Sequence, residues 1–268
     1  ALRPSAASRY LTELWVTDLE TSLARRLTDR VANAGYEEFP FDRGGDTAAW
    51  RADGSALIFL TSDEPASLCR WRPARWADEP ERLARVAPPP FGPRQLALGP
   101  DGDAIAVLAS PEADANGAIA IVHERGGAIE RWPVPPGPGD VHLLGWRVVA
   151  GSVLAARVDR GGDGVRRMQV LEVTARGAVE RARWSDVHPA SVRPGPGGET
   201  LLASRREGLE HGLSEYSLRT ERWRRLTRRA LPGVAFGGVE CAGRAALVCA
   251  RQEVKDDIWA MRLSVGGS

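Results

Sequence analysis

The chain of 268 residues has a single lysine, Lys255, so its positive charge is almost wholly arginine. Its 36 basic and 35 acidic residues leave a formal charge of +1, and that balance supplies no global field to draw the chain to nucleic acid or an anionic membrane. The arginines are spread along the sequence, which argues for coding bias and a solvated surface over a polyanion-binding patch. Cysteine is scarce too. Cys69, Cys241 and Cys249 are odd in number and form no CxxC, so neither a disulfide framework nor a zinc ligand set is indicated, and buried free thiols are expected. No apolar run reaches the roughly 18 residues of a membrane span, and Ala1-Leu2-Arg3-Pro4 lacks a signal-peptide layout. That start and the odd cysteine count favour a cytoplasmic location.

Catalytic signatures are missing as well. No Gly-x-Ser-x-Gly elbow, no phosphate-cradling GxxxxGK[ST] and no HExxH occurs, and His123, His142, His188 and His211 lie far apart. No catalytic residue, metal site or cofactor is therefore assigned, and the isolated chain is expected to hydrolyse neither peptides nor esters. What is present is a globular composition, 43% hydrophobic and 26% charged. A chain of this length hides roughly 70 to 75% of its unfolded surface, enough to fold without disulfides or metal.

Internal repetition sets the architecture. Glycine-ended turn signals recur at Gly54, Gly102, Gly151, Gly198 and Gly243, separated by 48, 49, 47 and 45 residues. Such corners need the positive φ that glycine adopts without a Cβ clash. After each comes a short apolar run, residues 56–60, 104–108, 153–156, 201–203 and 245–249, then a polar loop and a second run, 68–71, 118–122, 168–173, 214–218 and 257–261. Arg26-Leu27-Thr28, Arg82-Leu83-Ala84 and Arg225-Leu226-Thr227 read as closing edge strands. Each unit is a four-stranded meander, and no stretch carries helical periodicity. One such unit cannot hide two apolar faces, whereas a ring of them buries each against its neighbour. The expectation is an all-β, six-bladed β-propeller of antiparallel blades, a single domain over 1–268. Its blades run approximately over 1–28, 37–86, 94–134, 142–183, 188–227 and 234–264, with the first and last incomplete or sharing a sheet. Trp15 and Trp259 are repeat equivalents and read as packing residues, as do Trp71 and Trp76.

Trp50-Arg51-Ala52-Asp53-Gly54-Ser55-Ala56-Leu57-Ile58-Phe59-Leu60 resembles the repeat of TolB-type propellers, as does Leu98-Gly99-Pro100-Asp101-Gly102. The Arg-Leu-Thr tripeptides are similar to the closing strand of that repeat. The middle of the chain departs from it, since Ala150-Gly151 and Gly197-Gly198 replace Asp-Gly. The same repeat builds TolB-like interaction proteins and the propeller of prolyl oligopeptidase-type serine peptidases. The resemblance therefore implies a non-catalytic module that binds or gates, either beside a covalently linked hydrolase domain or, as the alternative, as a freestanding TolB-like protein holding a peptide or protein segment of its partner. The TolB-like alternative implies a periplasmic location. A third reading is a propeller lyase or glycosidase working through carboxylates and histidines of the channel.

One constellation fits a binding site. Asp140-Val141-His142 precedes the innermost strand of one unit, and Asp186-Val187-His188 that of the next, 46 residues later. The corresponding loop of the second unit carries Glu37 and Glu38. Loops that lead into innermost strands lie on one face of a propeller, around its channel mouth. Carboxylates and imidazoles gathered there suit a cationic or peptide N-terminal group, with histidine charge making binding sensitive to pH.

Overall fold

A computed structural model describes residues 2–5, 8–32, 47–61, 63, 65–87, 95–109, 118–125, 127–160, 166–187, 191–195, 198–207, 210–227, 231–232, 234–242 and 246–253. Within these residues the chain is antiparallel β-structure, with helix confined to short 3-10 turns such as Pro73–Arg75. The glycine corners behave as their spacing requires: φ is +70° at Gly54, +69° at Gly102, +58° at Gly151 and +73° at Gly198. Gly243 lies outside the described residues.

Strands β1 (Leu2–Ser5), β2 (Ser8–Thr17) and β3 (Ala24–Ala32) form the first sheet. The second is β4 (Ala48–Trp50), β5 (Leu57–Leu60), β6 (Ala66–Trp71) and β7 (Glu81–Val86), paired in that order. The third repeats it with β8 (Leu96–Leu98), β9 (Ala104–Ala109), β10 (Ala118–His123) and β11 (Ile129–Pro133). The fourth does so with β12 (Asp140–Arg147), β13 (Ser152–Arg160), β14 (Arg166–Thr174) and β15 (Gly177–Trp184). The fifth holds β16 (Arg193–Pro194), β17 (Thr200–Glu207), β18 (Glu210–Ser217) and β19 (Arg222–Arg225), with β20 (Leu231–Pro232) also paired to β18. Finally β21 (Val234–Ala242) pairs with β22 (Ala246–Glu253). The first sheet and this last pair share no strand among the described residues. The strand expected over 257–261, with Trp259, lies outside them.

The two-faced apolar runs explain how the sheets stack. Successive strand residues point to opposite faces, so Ile58 and Leu60 meet Ile105, Val107 and Ala109 of the next sheet, while Leu57 and Phe59 turn back onto Leu14, Val16 and Leu27. Ala104, Ala106 and Leu108 likewise meet Leu143, Val153 and Ala155, and Leu154 and Ala156 meet Leu201 and Ala203. Each boundary is thus its own core, and every fully buried large aliphatic side chain in it contributes roughly 1.5–3 kcal/mol. Trp71 belongs to the first of these cores and meets Trp50 and Trp76 edge to face, with ring centroids 6.3 and 5.5 Å away. These tryptophans pack among themselves, as the repeat implies for Trp71 and Trp76.

The first strands of successive sheets converge, with β4 against β8, β8 against β12 and β12 against β16. A β-bulge between Leu143 and Gly145 interrupts the β12–β13 ladder, and the Leu143 N–H donates to the side-chain oxygen of Gln95. Three residues further on, Trp146 Nε1 donates to the Ala97 carbonyl at 2.9 Å. On the other side of β12, Pro194 of β16 packs directly over Gly145.

Candidate functional site

The converging strands enclose a cavity of about 210 Å³ lined by Ala49, Trp50, Leu96, Ala97, Leu98, Leu143, Leu144 and Arg193. These residues come from β4, β8, β12 and β16, the four inner strands. The space they line is small, below the roughly 300–1,000 Å³ of small-molecule pockets.

At the rim where the inner strands begin, Asp140 and His142 are the first and third residues of β12, within the strand itself. Asp140 lies opposite Val158 and His142 opposite Ala156. Val158 and Ala156 contribute to the core between the fourth and fifth sheets, and Val187 joins the same core. Asp140 and His142 thus lie in register with residues of that core, and Asp186 precedes another of its residues, Val187. Asp140 is exposed and His142 half-buried. Asp186 is committed to the protein: its carboxylate accepts from Arg205 Nε at 2.5 Å, and its carbonyl accepts the Arg206 N–H at 2.7 Å. Arg205 lies 5.3 Å over the Trp223 ring, and Trp223 packs on Trp184 and Tyr216 at 4.9 and 5.1 Å. Sequence reasoning missed Arg205, because no local pattern announces a partner 19 residues away. His188, Glu37 and Glu38 lie outside the described residues.

The chain reaches Asp140 through Gly139 at φ +94°, where a Cβ would fall 2.2 Å from the Val158 carbonyl oxygen. Only glycine fits so close to the neighbouring strand.

The opposite rim, where the glycine corners lie, carries ion clusters between sheets. Arg147 reaches Glu172 at 2.9 Å and Glu199 of the fifth sheet at 3.0 Å, while Arg181 Nε and Ser152 Oγ also bond Glu172, at 2.5 and 2.6 Å. Burial alone would push the Glu172 carboxyl up, but Ser152, Arg181 and Arg147 together hold it below the usual carboxylate range. Arg51, the repeat equivalent of Arg147, joins Arg70 on Glu124 of the third sheet. The cleft there, about 750 Å³, is lined by Arg51, Asp53, Arg70, Arg72, Glu124 and Arg125 among others. In both clusters cations and carboxylates pair across a sheet boundary, which is a structural task, and in the second the buried Arg70 Nε is left without a partner. Among the described residues no cluster of three or more metal-ligating side chains occurs, and no helix is long and apolar enough to cross a membrane.

The sequence matches no protein-family model and no curated protein. Solved structures do resemble the fold. TolB from Acinetobacter baumannii superposes with a TM-score of 0.55 at 12% identity, over 94% of this chain and 60% of that one. The β-propeller domain of the Trilobed protease from Pyrococcus furiosus gives 0.58 at 9% identity, over 94% of this chain and 74% of that one. Prolyl oligopeptidase B from Galerina marginata gives 0.50 at 11%, over 94% of this chain and 39% of that one. The fold is therefore a TolB-like β-propeller of the kind that prolyl oligopeptidases also carry. The chain spans well under two thirds of TolB and of the oligopeptidase.

Proposed function

We propose that this chain is a non-catalytic, six-bladed binding and gating propeller, a single domain over residues 1–268, most like the module that restricts access to the hydrolase of a prolyl-oligopeptidase-type peptidase. The observation that carries the reading is the small cavity, about 210 Å³, between the first strands of four successive sheets. A folded protein cannot pass so narrow a space, so its chemistry is exclusion, and recognition falls to the rim. There Asp140, His142 and Asp186, with His188, Glu37 and Glu38, would bind the free amino terminus or a cationic side chain of an extended peptide. Each carboxylate attracts the ammonium group, and protonation of a histidine opposes it. A freestanding interaction propeller would use the same rim.

The test is fluorescence anisotropy with a labelled peptide carrying a free amino terminus, against its acetylated counterpart. The wild-type chain is expected to prefer the free amine, and Asp140→Asn to weaken it about tenfold, roughly 1.4 kcal/mol. Equal binding of the two peptides, or undiminished binding by Asp140→Asn, would sink the rim assignment. Turnover of peptide or ester substrates that persists through purification would sink the non-catalytic reading.

A further inference from the structure

Arg157, on β13, is 6% exposed, yet among the described residues no carboxylate bonds it. It lies opposite Val141 and Gln169, on the side of the fourth sheet that Val141 packs toward the third. A guanidinium has five N–H donors. One of those on Nη1 goes to Gln169 Oε1 at 3.3 Å and one on Nη2 to the Pro135 carbonyl, while the Nε–H is buried with no partner. The nearest acid in this chain of contacts is already engaged. Glu180 accepts from Gln169 Nε2 and holds Arg183 at 2.9 and 3.0 Å, so the glutamine must present its oxygen, not a charge, to Arg157. Burial pulls the Arg157 guanidinium below its usual range, and no carboxylate offsets this.

Arg157 opens onto a cleft of about 260 Å³, which the Pro136-Gly137-Pro138 connection closes on one side and Arg167 and Arg183 border on the other. A Cβ on Gly137 would stand 2.7 Å from Nη1, so the connection leaves just enough room for the guanidinium. Asp159 also lines the cleft. With Arg183 neutralised by Glu180, and Asp159 present, a multiply charged anion is disfavoured. One uncompensated buried cation with donors to spare suits one planar, singly charged acceptor.

We propose that this cleft, between the Pro136-Gly137-Pro138 connection and the fourth sheet, binds a carboxylate borne on an organic stem, with Arg157 as its cationic partner. The site lies at the same rim as Asp140 but is independent of the peptide-amine reading, since it selects the opposite charge through different residues. The source of the carboxylate is either a free small acid or a peptide terminus.

The test uses the full chain and follows thermal unfolding at constant ionic strength. N-acetylglycine is expected to raise the melting temperature saturably, and N-acetylglycinamide to leave it unchanged. Arg157→Met, close in shape and free of the buried charge, is expected to keep or raise the melting temperature without acid and to weaken the acid response at least tenfold. Should that variant fail to fold, Gly137→Ala serves instead: its methyl crowds Nη1, and it too should weaken the response tenfold with unchanged circular dichroism. Tighter binding of Ac-Ala-Ala-Gly than of N-acetylglycine identifies a peptide terminus, equal binding a free acid, and both support the site. An equal response to acid and amide, an undiminished response in the folded variants, or a tenfold preference for inorganic phosphate would overturn it.

Discussion

The side-chain oxygen of Gln95, at the start of the third sheet, accepts the backbone N–H of Leu143 in the fourth. Gln95 is 5% exposed, and β12 is the edge strand of its sheet, so this buried N–H finds its acceptor in the neighbouring sheet. Gln95→Leu would leave a buried donor unsatisfied, which costs roughly 1–3 kcal/mol. Urea unfolding should show a lower midpoint with an unchanged slope. A wild-type midpoint would mean that the inner strands do not depend on this bond.

Glu172 makes stability depend on acid. Its carboxyl is held below the usual range in the folded state by Ser152, Arg181 and Arg147 despite burial, so the unfolded chain takes up a proton first. The stabilisation is complete above the unfolded carboxylate value, roughly pH 4.3, and is lost as pH falls through the lower folded value. Glu172→Gln should cost about 1–3 kcal/mol at pH 7, because it removes half of the pairing of the mostly buried Arg147, and it should flatten the fall in stability below the unfolded carboxylate value. Denaturation midpoints measured across that window decide it.

Cys69 should be inert. Burial pushes its thiol up to about 11, with Arg82 drawing it down and Asp63 adding to the rise. At pH 8 almost no thiolate exists, and the thiolate is the nucleophile. Iodoacetamide applied to the folded chain at pH 8, followed by peptide mapping, should leave Cys69 unlabelled until urea is added. Rapid native labelling would contradict the burial.

Gly139 governs how the chain arrives at Asp140. Gly139→Ala combines a φ of +94° with a Cβ placed against the Val158 carbonyl, and strain of this kind costs of order 1–3 kcal/mol. The variant should unfold at lower urea and bind the free-amine peptide more weakly than the wild type, because Asp140 must shift with the backbone. Unchanged values for both would show that the loop relaxes without moving the strand.

The blade repeat was legible because it is a local property. A corner such as Asp53-Gly54 or Ala150-Gly151 needs positive φ wherever it sits, and a run such as Ala104 to Leu108 with both faces apolar needs a neighbour on each side. Arg205, Gln95 and Arg157 were not legible. Each owes its role to a partner in another strand or sheet: Arg205 to Asp186 and Trp223, Gln95 to the Leu143 N–H, and Arg157 to the neutral acceptors of Gln169 and Pro135. A linear pattern records which residues a strand must bury, since burial depends on alternation along one segment. It does not record which buried charge finds a counter-charge, because that depends on the packing distance between segments, and only the assembled sheets determine it.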